Sequence, residues 1–174
     1  MKRLDSLDIL EAIQLASRRI LDFKGRSRRS EFWWWMLVVM IAKWVFSLFS
    51  DSLLVNAIVA IIIMFFGLAV TVRRLHDTGK SALWVYISYA SGCVVEIFNA
   101  TSPTMNKLMD EITSGHFTRH TIEKILEDGA GDLHILSVLS FISAIFAIIV
   151  IIMCLLDSSP YANKYGESPK YVEE

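Results

Sequence analysis

The sequence predicts an all-α membrane protein: a four-helix transmembrane bundle with an N-terminal amphipathic helix and a short outward-facing helical hairpin. Three observations lead there. The 174 residues are 54% hydrophobic with a mean hydropathy of +0.48, too apolar for a soluble domain whose surface must stay wet. The apolar residues form near-continuous runs, separated by short polar stretches that hold almost all the charge, which is the membrane pattern rather than the amphipathic one. Four of these runs reach the roughly 17 residues that a helix needs to cross a hydrocarbon core about 30 Å thick.

The spans are expected at 32–49, 53–72, 82–98 and 133–156. The second contains no charged residue. The third is short and polar, so it should pack inside the bundle, its Ser, Gly and Ala residues allowing close approach of neighbouring helices. Only Ser50, Asp51 and Ser52 separate the first two spans, which forces an antiparallel hairpin. Basic residues then set the orientation. Thirteen fall in the N-terminal segment, the loop after the second span and the C-terminal tail, against Lys107, Arg119 and Lys124 on the other side, where six carboxylates accompany them. The positive-inside rule places both termini in the cytoplasm. Trp33, Trp34 and Trp35, with Trp84, fall at the same interface, where a lipid-facing aromatic belt is expected.

Outside the spans, residues 4–23 place Ile9, Ile13, Ala16, Ile20 and Phe23 at helical spacing, with acids early and Arg18 and Arg19 late. This is an amphipathic helix that either lies on the cytoplasmic lipid surface or packs on the bundle. The excursion 99–132 is too long for a simple connection. Met105, Leu108, Met109 and Ile112 form a helical stripe ending before Gly115, and a second helix runs from Thr118 to Asp128. The chain thus divides into a cytoplasmic segment 1–24, one membrane domain 25–165 and a tail 166–174, loose from Ser168 onward. The first apolar run begins at Phe32 with no small-residue cleavage site after it, so it is expected to remain as an uncleaved anchor.

Candidate chemistry is sparse. Cys93 and Cys154 lie in apolar runs and are expected to be inert. The stretch RRLHDTGKS at 73–81 ends like a phosphate-binding loop, but Arg74 stands where that loop needs glycine. A single Asp77-Thr78-Gly79 lacks the second copy that an aspartic-protease dyad requires. The segment instead provides a tight turn, with Gly79 at positive φ and Asp77 or Thr78 capping the third span. His76 beside Asp77 is more often a hydrogen-bonded structural pair than a proton-transfer site. His116 and His120, with His134, are ligand types at helical spacing, yet no H-E-x-x-H pattern accompanies them and no metal is assigned. Lys43 and Glu96 are ionisable groups inside spans, where each is costly. They lie at similar depth and either pair or snorkel separately to the outer interface, the second favoured because both sit nearer that end.

Three blocks share the cytoplasmic face in order: Phe23-Lys24-Gly25-Arg26-Ser27-Arg28-Arg29-Ser30-Glu31-Phe32-Trp33, then Arg73-Arg74-Leu75-His76-Asp77-Thr78-Gly79-Lys80-Ser81, then Asn163-Lys164-Tyr165-Gly166-Glu167-Ser168-Pro169. In this order they resemble the bacterial inner-membrane family of domain of unknown function 805 (DUF 805), from about Leu21 onward. The resemblance implies a small multi-span inner-membrane protein with no established activity to carry over. The family usually follows D-T-G-x-S with Gly-Trp-Trp, where this chain has Ala82-Leu83-Trp84, and the outer excursion is longer than the family's usual connection.

The functional expectation is a non-enzymatic membrane protein without a cofactor. Its cytoplasmic face, built from Arg26, Arg29, Glu31, Arg73, Arg74, His76 and Asp77, binds an anionic lipid headgroup or a partner protein, or else these charges pair with one another. Besides the bilayer, a homo-oligomer or membrane-protein partner is expected, and nucleic acid is not. The alternative is a small transporter or complex subunit using Lys43 and Glu96, although no inverted repeat or broken helix supports it. A hydrolase using His76 and Asp77 is the weakest reading, since only Ser81 stands near as a nucleophile.

Overall fold

The structure, a computed structural model, describes residues 2–115 and 118–172. Seven helices follow one another: α1 (Ile9–Arg18), α2 (Arg29–Ser47), α3 (Leu53–Asp77), α4 (Leu83–Thr101), α5 (Pro103–Ser114), α6 (Arg119–Asp128) and α7 (Ala130–Leu155). Among the described residues, besides an isolated bridge between Asn163 and Gly166, the strand structure is a two-residue antiparallel pairing of β1 (Lys2–Arg3) with β2 (Tyr171–Val172). It corrects the expected loose tail: Lys2 faces Val172 and Arg3 faces Tyr171 in register, and Leu4 N–H donates to Lys170 O at 2.9 Å.

Helices α3, α4 and α7 are each long and apolar enough to cross a membrane. The 19-residue α2 is less apolar because Glu31 and Lys43 lie within it. At 25 residues α3 is about 37 Å long, more than a hydrocarbon core about 30 Å thick can cover. Residues 73–77 therefore continue the helix beyond the apolar span 53–72, where the sequence suggested a loop. Gly79 does turn the chain, at φ +75°. Neither Asp77 nor Thr78 caps α4, however, whose N-cap Ala82 supplies no side-chain bond; Thr78 Oγ1 instead donates back to Leu75 O.

The long helices pack in series, α2 on α3, α3 on α4 and α4 on α7, with a shorter contact between α3 and α7. Small residues set the spacing, as a membrane interface requires. A Cβ on Gly67 would stand 3.1 Å from the Tyr89 hydroxyl, and one on Gly92 would stand 3.0 Å from Met64 Cε. Trp35 departs from the expected lipid-facing belt: it is buried, and its indole N–H donates to Phe66 O at 2.8 Å across the α2–α3 contact. The outer surfaces carry exposed Met40, Trp44, Ile58, Phe65, Phe141 and Ile152, more apolar surface than water tolerates on a monomer.

Helix α1 is shorter than the stripe at 4–23. Asp8 caps its start by accepting from Glu11 N–H, and the chain turns after Arg18, with Asp22 N–H donating to Arg19 O and Gly25 at φ +80°. Ala12 and Ala16 are buried, and Ile13, Ile20 and Phe23 pack against the core formed by the start of α2, the end of α3, the start of α4 and the end of α7. Packing on the bundle thus holds for this face, while Leu10 and Leu21 stay exposed.

The expected helical hairpin is α5 and α6. Ser102 caps α5 ahead of Pro103, Gly115 ends it at φ +72°, and Thr118 caps α6. Asp132 in the first turn of α7 accepts from Ser102 Oγ at 3.1 Å and Thr104 Oγ1 at 2.9 Å, fastening the start of α5 to α7. Gly129 sits at that junction, where an added Cβ would lie 2.2 Å from Thr104 Cγ2 and 2.4 Å from its Oγ1. Gly129→Ala should therefore displace Thr104 from Asp132 and cost about 1–3 kcal/mol. A lower thermal midpoint in detergent, with faster amide exchange confined to α5 and α6, is the expected result; an unchanged midpoint would show that the junction yields freely.

Candidate functional site

The most buried large side chains in this protein are charged. Arg73, Arg74 and Asp77 are fully buried, Glu31 is 1% exposed and Arg26 is 5% exposed. A charge removed from water is tolerated only when paired and hydrogen-bonded throughout.

Helix α3 supplies the centre because its last residues extend past the apolar span, with Arg73 and Arg74 four and three residues before Asp77 and so on the same side of the helix. Arg73 Nη2 donates to Glu31 Oε1 at 2.8 Å, its Nε to Ser27 Oγ at 2.8 Å, and its Nη1 to Arg19 O at 2.7 Å and Asp22 O at 2.5 Å. One guanidinium thus satisfies the carbonyls released where α1 ends and pairs with a carboxylate in the first turn of α2, a position the helix dipole favours for an anion.

Arg74 works at the other edge. Its Nε donates to Cys154 O at 3.0 Å, its Nη2 to Leu156 O, and its Nη1 to Asp77 Oδ2. Arg29 adds donations to Leu156 O at 3.1 Å and Leu155 O at 2.5 Å. The orphan carbonyls at the end of α7 are capped by arginines from α2 and α3, the cationic partners that a helix C-terminus prefers.

Asp77 is the hub. It accepts from Arg26 Nε at 2.9 Å on Oδ1, and from Arg74 Nη1 and the Ser158 hydroxyl on Oδ2. Arg26 then reaches the C-terminal segment, donating to Ser159 O at 2.5 Å, Tyr161 O at 3.0 Å and Gly166 O at 3.2 Å. His76 leaves the cluster and stacks flat on Tyr165, with ring centroids 3.7 Å apart and planes at 9°. Its Nδ1 lies 3.3 Å from Gly25 O, and Asn163 Nδ2 donates to its main-chain oxygen at 3.0 Å. Burial pushes the imidazole below its ordinary value; Lys164 acts in the same direction and the Gly25 carbonyl opposes.

Five of the seven expected site residues, Arg26, Glu31, Arg73, Arg74 and Asp77, therefore bind one another and the main chain. Arg29 is the half-exposed member, 3.9 Å from Asp157. The participants that the residue-by-residue reading passed over are Ser27, Ser158, Asn163 and Tyr165. Ser27, Asn163 and Tyr165 stand inside the three motif blocks, which is the signal that could have found them; Ser158 belongs to none.

Lys43 and Glu96 correct the favoured reading of separate snorkelling. Lys43 Nζ donates to Glu96 Oε1 at 2.5 Å, joining α2 to α4 toward their C-terminal ends. The described histidines His120 and His134 share no cluster with a third ligand, and no group of three or more His, Cys, Asp or Glu residues converges among the described residues. His116 lies outside the described residues.

Glu31→Gln removes the carboxylate from a fully buried Arg73 and should cost about 3–5 kcal/mol, the scale for breaking one side of a buried pair. Arg73→Lys should be nearly as damaging, because an ammonium cannot make the four fixed donations; a melting point within error of wild type in either variant would contradict the network. The lowered His76 pKa means that folding disfavours the imidazolium, so its docking contribution is complete above the ordinary value of 6.5 and declines as pH falls through the lower folded value. Amide exchange at Gly166, corrected for intrinsic rate, should accelerate on acidification in wild type and stay flat in His76→Phe, which retains the stack without titrating.

The network, from Arg26 to the Gly166 carbonyl, lies within the stretch that this chain shares with a family of known proteins. No solved structure matches the chain. The curated inner membrane protein YhaH of Escherichia coli K12 is 32% identical over 94 residues, covering 47% of this chain and 78% of that protein, and its counterpart in Escherichia coli O157:H7 matches equally. The model of the family described as protein of unknown function (DUF805) matches residues 20–167, from the turn after α1 to the segment that Arg26 and His76 hold, and the chain belongs to that family.

Proposed function

We propose that the chain is a four-span protein of the bacterial inner membrane, with both termini cytoplasmic, that acts by binding an anionic group at its cytoplasmic face and not by catalysis. The fourth span is α2. Its 19 residues extend about 28 Å, it returns along α3 through a short connection, and Leu37, Met40, Ile41 and Phe46 stand exposed on it. Pairing with Glu96 lowers the cost of Lys43 in hydrocarbon. The related protein's description as an inner membrane protein supports the compartment, and the basic asymmetry supports the orientation.

The observation that carries the binding reading is the division of labour among the cations. Arg26, Arg73 and Arg74 are consumed internally and hold the face in one shape. Lys2, Arg18, Lys24 and Lys80 are exposed and have no ion-pair partner among the described residues, and Arg29 is only loosely held by Asp157. A positive surface on a rigid base, beside a leaflet bearing anionic lipid, attracts headgroups or an acidic partner at about 1 kcal/mol per cation near the surface.

A second reading, a small transporter or complex subunit, rests on the intramembrane Lys43–Glu96 pair. Under the binding reading that pair is structural. Lys43→Met and Glu96→Gln should each lower stability, the double variant should recover it, and proton-coupled flux in vesicles should be the same with or without the protein; flux that vanishes in the stable double variant would favour transport. Orientation is checked separately. With Cys93 and Cys154 replaced by Ala, cysteines placed at Lys80 and Ser168 should resist a membrane-impermeant maleimide in intact spheroplasts, while one at Lys107 should react; the opposite pattern would invert the assignment.

A further inference from the structure

Beside the arginine network lies a separate cavity of about 110 Å3 where the N-terminal segment, the start of α2 and the end of the chain converge. Its polar wall is made by Asp5, Ser6, Arg28, Arg29, Ser30 and Lys170. Arg28 donates through Nε to Pro169 O and through Nη1 to Asp5 O at 2.9 Å, which leaves its Nη2 without a partner. Arg29 uses Nε and Nη2 on the end of α7, which leaves Nη1. Lys170 gives one proton to Asp157 at 2.5 Å and keeps two. The Ser30 hydroxyl accepts from Leu7 N–H at 3.2 Å and retains its own proton, and the exposed Ser6 hydroxyl is uncommitted. Arg28 is also the N-cap residue of α2 and makes no side-chain cap bond, so its guanidinium is not spent on the helix it precedes. The cavity therefore gathers three cationic side chains and two hydroxyls with donors to spare, against the wall carboxylate Asp5 and, behind the wall, Asp157, which engages Lys170 and lies 3.9 Å from Arg29.

We propose that this cavity binds a phosphate group, either the phosphodiester of an anionic lipid headgroup or inorganic phosphate. The proposal rests on the reading of the cytoplasmic face as an anion-binding surface and gives that surface an address. Tetrahedral oxyanions are matched by guanidinium donors from several directions, and the volume, several times the roughly 30 Å3 share of one water in the liquid, suits one such group. Arg29 begins α2 only three residues, about 4.5 Å, before Phe32 opens the apolar run, so the cavity lies at headgroup depth in a membrane spanned by α2. Leu4 lies at the same wall and offers an apolar contact to whatever carries the phosphate.

The test uses full-length protein in mild nonionic detergent, titrated with inorganic phosphate and, separately, with short-chain phosphatidylglycerol against zwitterionic phosphatidylcholine. Thermal shift and native mass spectrometry are the readouts. Ser6→Glu adds a carboxylate to the wall without removing any contact, and should weaken binding about tenfold or more; Asp5→Asn keeps the main-chain acceptor for Arg28 and should tighten it about threefold. Binding of phosphatidylglycerol alone assigns a lipid headgroup, and binding of inorganic phosphate assigns a free anion. Phosphatidylglycerol binding of equal strength in wild type and both variants overturns the cavity as the site while leaving the broader surface reading standing. Failure of wild type to bind any of these anions overturns both.

Discussion

The structure depends on charges that water does not reach. Asp77, held between Arg26 and Arg74, and Glu31, held by Arg73, sit where the long apolar helices meet the N- and C-terminal segments. A carboxylate there without its guanidinium, or the reverse, would carry a desolvation cost of several kcal/mol per ion. The network is therefore closed on itself: each buried guanidinium spends its donors on a carboxylate, a serine hydroxyl or a released main-chain carbonyl. Arginine suits this task because its planar fork offers five donors at fixed angles, so one side chain can serve the ends of two or three elements at once.

The polarity of the interior follows from the solvent outside. In a soluble protein the oily residues retreat inward and the charges stay wet. On this chain the oily side chains of α2, α3, α4 and α7 face outward, and the tightest core lies at one end, polar at its centre and lined by Phe32, Trp35, Val70, Leu75 and Val85. Since hydrocarbon provides no hydrophobic drive between helices, close packing and polar contacts must join them. Trp35 on Phe66, Ser91 near Ser143 and Lys43 on Glu96 are such contacts along the helices. The arginine network ties the start of α2 to the ends of α3 and α7.

That network also explains why three short blocks far apart in the chain occur together. The first block supplies Arg26, Ser27, Arg29 and Glu31, the second supplies Arg73, Arg74, His76 and Asp77, and the third supplies Asn163, Tyr165 and the Gly166 carbonyl. Each block alone is a set of unsatisfied groups. Brought together they dock the C-terminal segment on α3 and the N-terminal segment on both, and the docked segments in turn enclose the Arg28, Arg29 and Lys170 cavity. Among the described residues the α5–α6 hairpin takes no part in this network.

The sequence by itself determined the helices, because their signals are local. Apolar run length placed α3, α4 and α7, Ser102-Pro103 and Gly115 bounded α5, and Gly79 marked the turn before α4. It also named most of the site, since Arg26, Glu31, Arg73, Arg74 and Asp77 stand in recognisable blocks. What those residues do was decided by tertiary structure. A string of cations reads the same whether it faces lipid or is buried against carboxylates, and only the convergence of segments more than forty residues apart in sequence shows that Arg73 meets Glu31 and Arg26 meets Asp77. The same limit applies to Trp35, the Lys43–Glu96 pair and the β1–β2 pairing: each depends on a partner remote in sequence, and helical periodicity and charge asymmetry carry no information about that distance.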